Sequence, residues 1–327
     1  MAGTYREILN EIDEGLKEAG IAEHENDAWL IISHFAKISR ARYLAHPEDE
    51  PTADVARAIY AAASEREKRV PLQHITGEAY FYGRRFLVDE NVLVPRFDTE
   101  ILVEKALGYV KSRVAKASPE VQRVREDVIG EPSGEIRVLD MCTGSGCIAI
   151  AIEREGARLS EQIEVSACDI SDRALEIARK NAGINGSRVR FFKSDMFDAV
   201  DGRYDLIVSN PPYIRTDEIE TLAPEVRDHD PMIALDGGAD GLLFYRSIAE
   251  GAVRHLKVGG RIFLEIGCDQ YEDVRDILEK AGFSQIDLTR DLAGKDRVVS
   301  AALLCDALLE GRVRRNIEIL DRTASET

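Results

Sequence analysis

The first 70 residues show the periodicity of amphipathic helices, with apolar side chains three or four positions apart. Thr4 is followed three positions later by Glu7, which is the pattern of a capping box at a helix start. The sequence therefore predicts a small helical domain whose apolar stripes pack on each other. The stripes are Ile8, Ile12 and Leu16, then Trp29, Ile32, Phe35 and Ala36, then Val55, Ile59 and Ala62.

The period changes after Pro71. From there to Phe97, aromatic and β-branched residues alternate around Gly77 and Gly83, which predicts strands and a hairpin. Asp98 then opens a further helix. These changes divide the chain into an N-terminal helical domain (1–75), a connecting hairpin segment (76–97), an α/β domain (98–304) and a C-terminal extension (305–327).

The α/β domain is predicted from apolar runs that alternate with helical patterns. The series begins with strand IRVLDM, helix CIAIAIERE, strand IEVSACD and helix SDRALEIARKNAG. The whole pattern predicts seven strands, including these two. This alternation predicts a mostly parallel sheet covered by helices on both faces. Ligands of such sheets bind beyond the carboxyl ends of the strands. The charged segment 111–135 is expected to be a surface excursion.

A glycine-rich loop, Cys142–Gly146, connects the first of these strands to a helix. Its glycines allow a tight turn and close approach of a ligand to the helix N-terminus. Asp169 ends the next strand and can accept hydrogen bonds from ribose hydroxyls. Two structural interpretations stay open. In one, Gly146 is needed for helix packing and not for ligand binding; in the other, Asp169 caps the helix that starts near Ser171 and binds no ligand.

The third strand is followed by Asp195, Met196 and Phe197. A carboxylate and two large apolar side chains suit the exocyclic amine and the ring faces of an adenine. Phe197 is interpreted equally well as a core residue. With the loop and the acid, these residues predict a nucleoside-binding pocket, although dehydrogenases use the same glycine turn.

The most specific motif is Asn210-Pro211-Pro212-Tyr213, directly after the fourth strand, YDLIVS. Two prolines stiffen the turn, so that the Asn210 side-chain oxygen and the Pro211 carbonyl are presented as acceptors. Both can accept hydrogen bonds from a planar NH2 group, on which Tyr213 can pack. Held in this way, an amide or aryl amine nitrogen becomes more pyramidal and can attack an electrophilic methyl group opposite.

Charge and composition exclude several classes of function. The chain has 43 Lys and Arg against 60 Asp and Glu, a net charge of −17, which disfavours nucleic acid and suits a basic protein partner. Five cysteines without a C-x-x-C motif indicate reduced thiols, and six histidines without an H-x-x-x-H pair indicate no metal site. With no signal peptide and no apolar span, the protein is expected to be cytoplasmic, without a membrane partner.

The sequence resembles the HemK/PrmC family of protein-(glutamine-N5) methyltransferases. The resemblance rests on the Asn210–Tyr213 motif, on PLQHITGEAYFYG followed by VLVPRFDTE, and on LEIG and DLAGKDRVV. It implies a seven-stranded, Rossmann-like, S-adenosyl-L-methionine-dependent methyltransferase domain behind a helical substrate-binding domain. It further implies that the substrate is the glutamine of the Gly-Gly-Gln motif of a peptide chain release factor, and that the coproduct is S-adenosyl-L-homocysteine.

The resemblance also implies roles for single residues. Asn210, Pro211 and Tyr213 correspond to catalytic residues, and Arg96 and Phe97 to residues near the active site. This sequence departs from the family at Cys142, where glycine is usual, at Phe97, where proline is usual, and at Met196, where tryptophan can occur. The implied donor contacts are Cys142, Thr143, Gly144, Ser145, Gly146, Asp169, Asp195, Met196 and Asn210, and the implied glutamine contacts are Asn210, Pro211, Pro212 and Tyr213.

Three other functions compete with this interpretation. An N6-adenine DNA methyltransferase shares the Asn210–Tyr213 motif, but it needs a basic groove and a pocket for a flipped base. A nicotinamide-dependent enzyme shares the glycine turn and leaves that motif without a role. A binding module without catalysis would use the helical domain as its interaction surface.

Overall fold

The computed structural model describes residues 3–116, 135–160 and 162–304. Its N-terminal helices share one apolar core built from the predicted stripes. The capping box is present: the Glu7 amide donates to Thr4 Oγ1 at 3.3 Å, and the Thr4 amide donates to Glu7 Oε2 at 2.8 Å. The helices are α1 (Tyr5–Glu18), α2 (His24–Ala36), α3 (Arg40–Ala45), α4 (Ala53–Glu67) and α5 (Leu72–Thr76).

The segment after Pro71 begins with α5 rather than with a strand. Pro71 at the helix start has φ −54°, and Gly77 ends the helix with φ +70°, so both residues act as helix boundaries. The predicted hairpin follows, with Tyr82 and Gly83 at positive φ in its turn. The hairpin strands are β1 (Glu78–Phe81) and β2 (Arg84–Leu87), and after a 3-10 turn (Phe97–Thr99) comes α6 (Glu100–Lys116).

The α/β domain contains the predicted seven-stranded sheet, in the order β5-β4-β3-β6-β7-β9-β8. The first five strands in this order are parallel, whereas β9 is antiparallel to both of its neighbours, β7 and β8. The strands are β3 (Ile136–Met141), β4 (Ile163–Asp169), β5 (Arg190–Lys193), β6 (Tyr204–Ser209), β7 (Leu256–Glu265), β8 (Ser284–Arg290) and β9 (Asp296–Ala302).

Helices cover both faces of the sheet, and adjacent residues of one strand point to opposite faces. Val138 belongs to one apolar cluster, whereas Leu139 belongs to the other. The remaining helices are α7 (Cys147–Gly156), α8 (Asp172–Asn185), α9 (Pro224–Arg227), α10 (Met232–Leu235), α11 (Leu243–His255) and α12 (Tyr271–Lys280), with a 3-10 turn at Thr216–Thr221. Helices α6 and α7 pack in the first cluster, and α11 and α12 pack in the second.

Two segment boundaries differ from the predicted ones. Helix α6 continues through Lys116, into the predicted surface excursion, the rest of which lies outside the described residues apart from position 135. Strand β7 starts at Leu256, earlier than predicted, and a register irregularity between Tyr204 and Leu206 of β6 accommodates the additional residues. The predicted C-terminal extension (305–327) lies outside the described residues.

Candidate active site

A cavity opens where the carboxyl ends of the parallel strands β3, β4, β5 and β6 meet. Its empty volume is about 1180 Å³, part of it open to solvent. We call it the first cavity. It is lined by nearly all of the residues predicted to contact a nucleoside-type ligand: Cys142, Thr143, Gly144, Ser145, Asp169, Asp195, Met196 and Asn210.

Gly146 and Phe197 do not line the first cavity but lie behind the residues that do. A Cβ atom on Gly146 would lie 3.1 Å from the Cβ of Ala178, so this glycine allows α7 and α8 to pack closely. Phe197 stacks on His255 with 5.1 Å between ring centroids and lies against Gly251. Packing therefore accounts for both residues, and a direct ligand contact by Gly146 stays a prediction.

Asp169 joins two loops at the floor of the first cavity. Its Oδ2 accepts a hydrogen bond from the Gly144 amide at 2.9 Å, and its Oδ1 accepts one from the Ser171 amide at 2.9 Å. The cap of α8 is Ser171 itself, whose side chain accepts from the Ala174 amide. Burial raises the pKa of Asp169, and the two amides oppose that rise. Each oxygen retains a lone pair for a ligand hydroxyl.

Asp140 stabilises the glycine-rich loop from below. The carboxyl is fully buried and accepts hydrogen bonds from Thr143 Oγ1 at 2.6 Å and from the Ala149 amide at 3.2 Å. Burial raises the pKa of Asp140 to about 7, although both hydrogen bonds favour the charged form. The sequence pattern marks this residue only as the end of a strand.

The Asn210–Tyr213 turn lies between the first cavity and a smaller second one. Asn210 lines both, whereas Pro211 and Tyr213 line the second, and Pro212 lines the first. Both prolines are buried. Asn210 Nδ2 donates to Thr99 Oγ1 at 3.3 Å, which leaves Asn210 Oδ1 available as an acceptor.

Glu265 also lines the second cavity. In the parallel register of β6 and β7, Ser209 pairs with Leu264, so Glu265 lies opposite Asn210. Burial raises the pKa of Glu265 to about 7, while nearby Thr99, Arg297 and Tyr213 oppose the rise. The sequence motif LEIG marked this position without indicating its role.

Residues 214–241, which we call the strap, close over both cavities. Its ends meet, since the Ile214 amide donates to the Leu235 carbonyl at 3.0 Å and the Gly237 amide donates to the Ile214 carbonyl at 2.8 Å. Ala234 lines both cavities, and Arg96 pairs with Asp230 at 2.7 Å. Phe97, beside Arg96, is 78% exposed. No periodic pattern in the sequence predicts the strap, because its helical turns are short.

Membrane-spanning helices, metal-binding clusters and cysteines can be assessed for the residues that the structure describes. Within them, no helix combines the length and the apolar character needed to cross a membrane. Across the same residues, no cluster of three or more His, Cys, Asp or Glu side chains could hold a metal ion. Cys142, Cys147, Cys168 and Cys268 are free thiols.

Comparisons with known proteins give results for both domains. Residues 7–77 match the family described as PrmC N-terminal domain, and residues 126–225 match the family described as Methyltransferase small domain. A release factor glutamine methyltransferase of Agrobacterium fabrum is 41% identical over 287 residues, covering 87% of this chain and 92% of the relative. The enzyme of the same name from Cereibacter sphaeroides is 41% identical over 292 residues, with 88% and 94% covered. The hMettl16 catalytic domain, solved with MAT2A 3'UTR hairpin 6, matches with a TM-score of 0.49 and 16% identity, covering 78% of this chain and 83% of that one.

The seven-stranded sheet and the matched methyltransferase domain define a Rossmann-like methyltransferase. Within that class, the chain belongs to the family of release factor glutamine methyltransferases, because its relatives are similar over most of both chains. The resemblance noted from the motifs is therefore confirmed. The relatives do not favour the alternative of a DNA adenine methyltransferase.

Proposed function

We propose that this enzyme transfers a methyl group from S-adenosyl-L-methionine to the side-chain nitrogen N5 of the Gly-Gly-Gln glutamine of a peptide chain release factor. The observation that carries the proposal is the position of Asn210, whose carboxamide lies between the two cavities. One cavity suits a nucleoside-type donor, and the other suits a carboxamide substrate. The family to which the chain belongs supports the same activity.

The first cavity fits the donor in shape and in hydrogen-bonding groups. Space is open beside Gly144, where an added Cβ would find no atom within 4 Å. Asp169 presents both carboxylate oxygens for ribose hydroxyls, while Met196 and Ile170 provide apolar surface for a base. When bound, S-adenosyl-L-methionine supplies an electrophilic methyl group on a sulfonium sulfur. S-adenosyl-L-homocysteine is the expected coproduct.

The second cavity provides the acceptors that orient the substrate amide. Asn210 Oδ1 and the Pro211 carbonyl each accept one hydrogen of the amide nitrogen, which directs its lone pair toward the first cavity. Because an amide nitrogen is a weak nucleophile, most of the acceleration is expected from holding it at about 3–3.5 Å from the carbon that it attacks. The methylated nitrogen is acidic and can lose its proton late.

We further infer that the N-terminal helical domain contributes to binding the protein substrate. The net charge of −17 favours a release factor that presents a basic surface. With translation as its setting and free thiols among its described residues, the enzyme is proposed to act in the cytoplasm, with neither nucleic acid nor membrane as a direct partner.

Mass spectrometry of a release factor after incubation with the enzyme and donor tests the function. We expect one added methyl group on the Gly-Gly-Gln glutamine, with stoichiometric S-adenosyl-L-homocysteine. Asn210→Ala should abolish the modification while the fold is retained, and Asn10→Ala, on an exposed position of α1, is the matched control. An unmodified glutamine, or full activity of Asn210→Ala, would refute the proposal.

A further inference from the structure

The strap begins directly after the Asn210–Tyr213 turn, and its two ends meet there. The Tyr213 carbonyl belongs to the peptide bond with Ile214, the first residue of the strap. Gly241, the last residue of the strap, packs against this carbonyl so closely that a Cβ atom on Gly241 would lie 2.5 Å from its oxygen. A group that binds the carbonyls of Tyr213 and Gly241 together therefore controls both the end of the turn and the base of the strap.

Gln270 binds both of these carbonyls. Its Nε2 donates to the Tyr213 carbonyl at 2.9 Å and to the Gly241 carbonyl at 3.3 Å. The residue is 8% exposed, so water competes little for these bonds. Although Gln270 occupies the N-cap position of α12, its side chain makes no capping hydrogen bond to that helix. Its carboxamide therefore serves the turn and the strap, and not the start of its own helix.

The orientation of the Gln270 carboxamide is fixed by groups that have only one hydrogen-bonding role. Its Oε1 accepts from the Gly267 amide at 2.9 Å, and a backbone amide can only donate. Its Nε2 faces two carbonyls, which can only accept. The Tyr245 hydroxyl, which lies 3.3 Å from Oε1, also donates to the Glu265 carbonyl at 2.9 Å. Because a rotated carboxamide would break these bonds, the side chain connects the end of β7 to the turn in one orientation.

We propose that Gln270 is a positioning residue for methyl transfer, because its carboxamide fixes the base of the strap to the Asn210–Tyr213 turn. The turn and the strap both line the second cavity, the strap through residues such as Ala234 and Leu235. Gln270 lines neither cavity, so it acts through the two carbonyls that it binds. When these bonds are lost, the turn and the strap can move relative to each other, and the acceptors of the turn no longer hold the substrate amide in line with the donor. The inference rests on the proposed function and adds a positioning residue to that same site.

Substitution of Gln270 at saturating donor tests this role. Gln270→Met keeps the length of the side chain but removes its hydrogen bonds, so kcat for release factor methylation should fall about 10²-fold, the effect of a misplaced reacting group. Gln270→Glu keeps the shape and should cost at least as much, because a carboxyl group has at most one proton for two carbonyls. Binding of S-adenosyl-L-homocysteine, measured by calorimetry, should change little, since Asp169 holds the glycine-rich loop through bonds that do not involve Gln270. Gln162→Met, at an exposed position before β4, is the matched control. Wild-type kcat in either Gln270 variant would overturn the proposal.

An alanine at Gly241 tests the same contact from the other side. Its Cβ would lie 2.5 Å from the Tyr213 carbonyl oxygen and 2.7 Å from Gln270 Nε2, so it must displace one of them. Gly241→Ala should therefore lower kcat as Gln270→Met does. The double variant should be no slower than the slower single variant, because both changes disrupt the same bonds. Losses in kcat that multiply would show that the two residues act separately and would overturn the proposal.

Hydrogen exchange without substrate distinguishes failure of this inference from failure of the proposed function. The Ile214 and Gly237 amides close the strap with hydrogen bonds of 3.0 and 2.8 Å. In Gln270→Met and Gln270→Glu both amides should exchange about tenfold faster or more, whereas the Leu139 amide in β3 should be unchanged, because the opening is local. Exchange that accelerates equally at all three amides, or at none, would overturn the positioning role. If the wild type leaves the release factor unmethylated but the strap amides respond in this way, Gln270 holds the strap and the substrate assignment is wrong.

Discussion

Arg69 and Glu225 form a two-point salt bridge between the N-terminal helical domain and the strap. Arg69 Nε donates to Glu225 Oε1 at 2.7 Å, and Arg69 Nη2 donates to Glu225 Oε2 at 2.8 Å. Arg66, which also bonds Asp27 at 2.8 Å, reaches the same carboxylate at 3.1 Å. The domain proposed to bind substrate is therefore fixed to the segment that walls both cavities.

Removing Glu225 should uncouple these parts of the molecule. Glu225→Ala leaves the Arg66 guanidinium, 9% exposed, with one carboxylate fewer, so we expect the free energy of unfolding to fall by about 1.5–3 kcal/mol. Glu220→Ala, an exposed position of the same strap, should change it by less than about 0.5 kcal/mol. Urea unfolding of the full chain measures both, and equal effects of the two variants would contradict the coupling.

The salt bridges of Glu225 also predict a pH dependence of stability. Although burial alone would raise it, hydrogen bonds from Arg69 and Arg66 hold the pKa of Glu225 below its ordinary value. A lowered carboxyl pKa stabilises the fold above the unfolded-state value of about 4.3 and loses this effect as the pH falls through the folded-state value. Wild-type stability should therefore drop more steeply than that of Glu225→Gln below about pH 5. If the stability of the two proteins changes with pH in parallel, these salt bridges do not lower the pKa of Glu225.

Much of the fold follows from the sequence because it depends on local periodicity. The stripe of Ile8, Ile12 and Leu16 and the alternating apolar runs of the sheet identify their elements without long-range information. The Asn210–Tyr213 motif could likewise be located, because a strand end and two prolines are adjacent in the chain. Its position between the two cavities could not be predicted from the sequence, because it depends on the tertiary structure.

The other parts of the site depend on contacts between distant residues. Thr99 and Asn210 are separated by 111 positions, and their hydrogen bond depends on where α6 begins relative to the sheet. The position of Glu265 opposite Asn210 depends on the register between β6 and β7. The strap has short turns whose order comes from Asp230 and Glu225 binding arginines elsewhere, which periodicity cannot reveal.

The two glycines of the donor loop should respond differently to an added methyl group. Gly144 and Gly146 both have positive φ, so alanine strains the backbone at either position. At Gly146 the new Cβ would also crowd Ala178, whereas at Gly144 it meets open space in the first cavity. Gly146→Ala should therefore lower the unfolding temperature more, and Gly144→Ala should weaken S-adenosyl-L-homocysteine binding more. Thermal unfolding and calorimetry on both variants test this, and the reverse order would contradict the packing.

Cys142 adopts φ +57° without being a glycine, which places strain in the loop that lines the first cavity. Burial raises the pKa of its thiol, so the side chain is a neutral packing group rather than a reactive one. Cys142→Ala and Cys142→Gly both remove the thiol, but only glycine relieves a left-handed backbone, whose cost is about 1–2 kcal/mol. We therefore expect Cys142→Gly to unfold at higher urea concentration than Cys142→Ala, with S-adenosyl-L-homocysteine binding retained. If alanine is the more stable of the two, the conformation of residue 142 in solution is not the left-handed one.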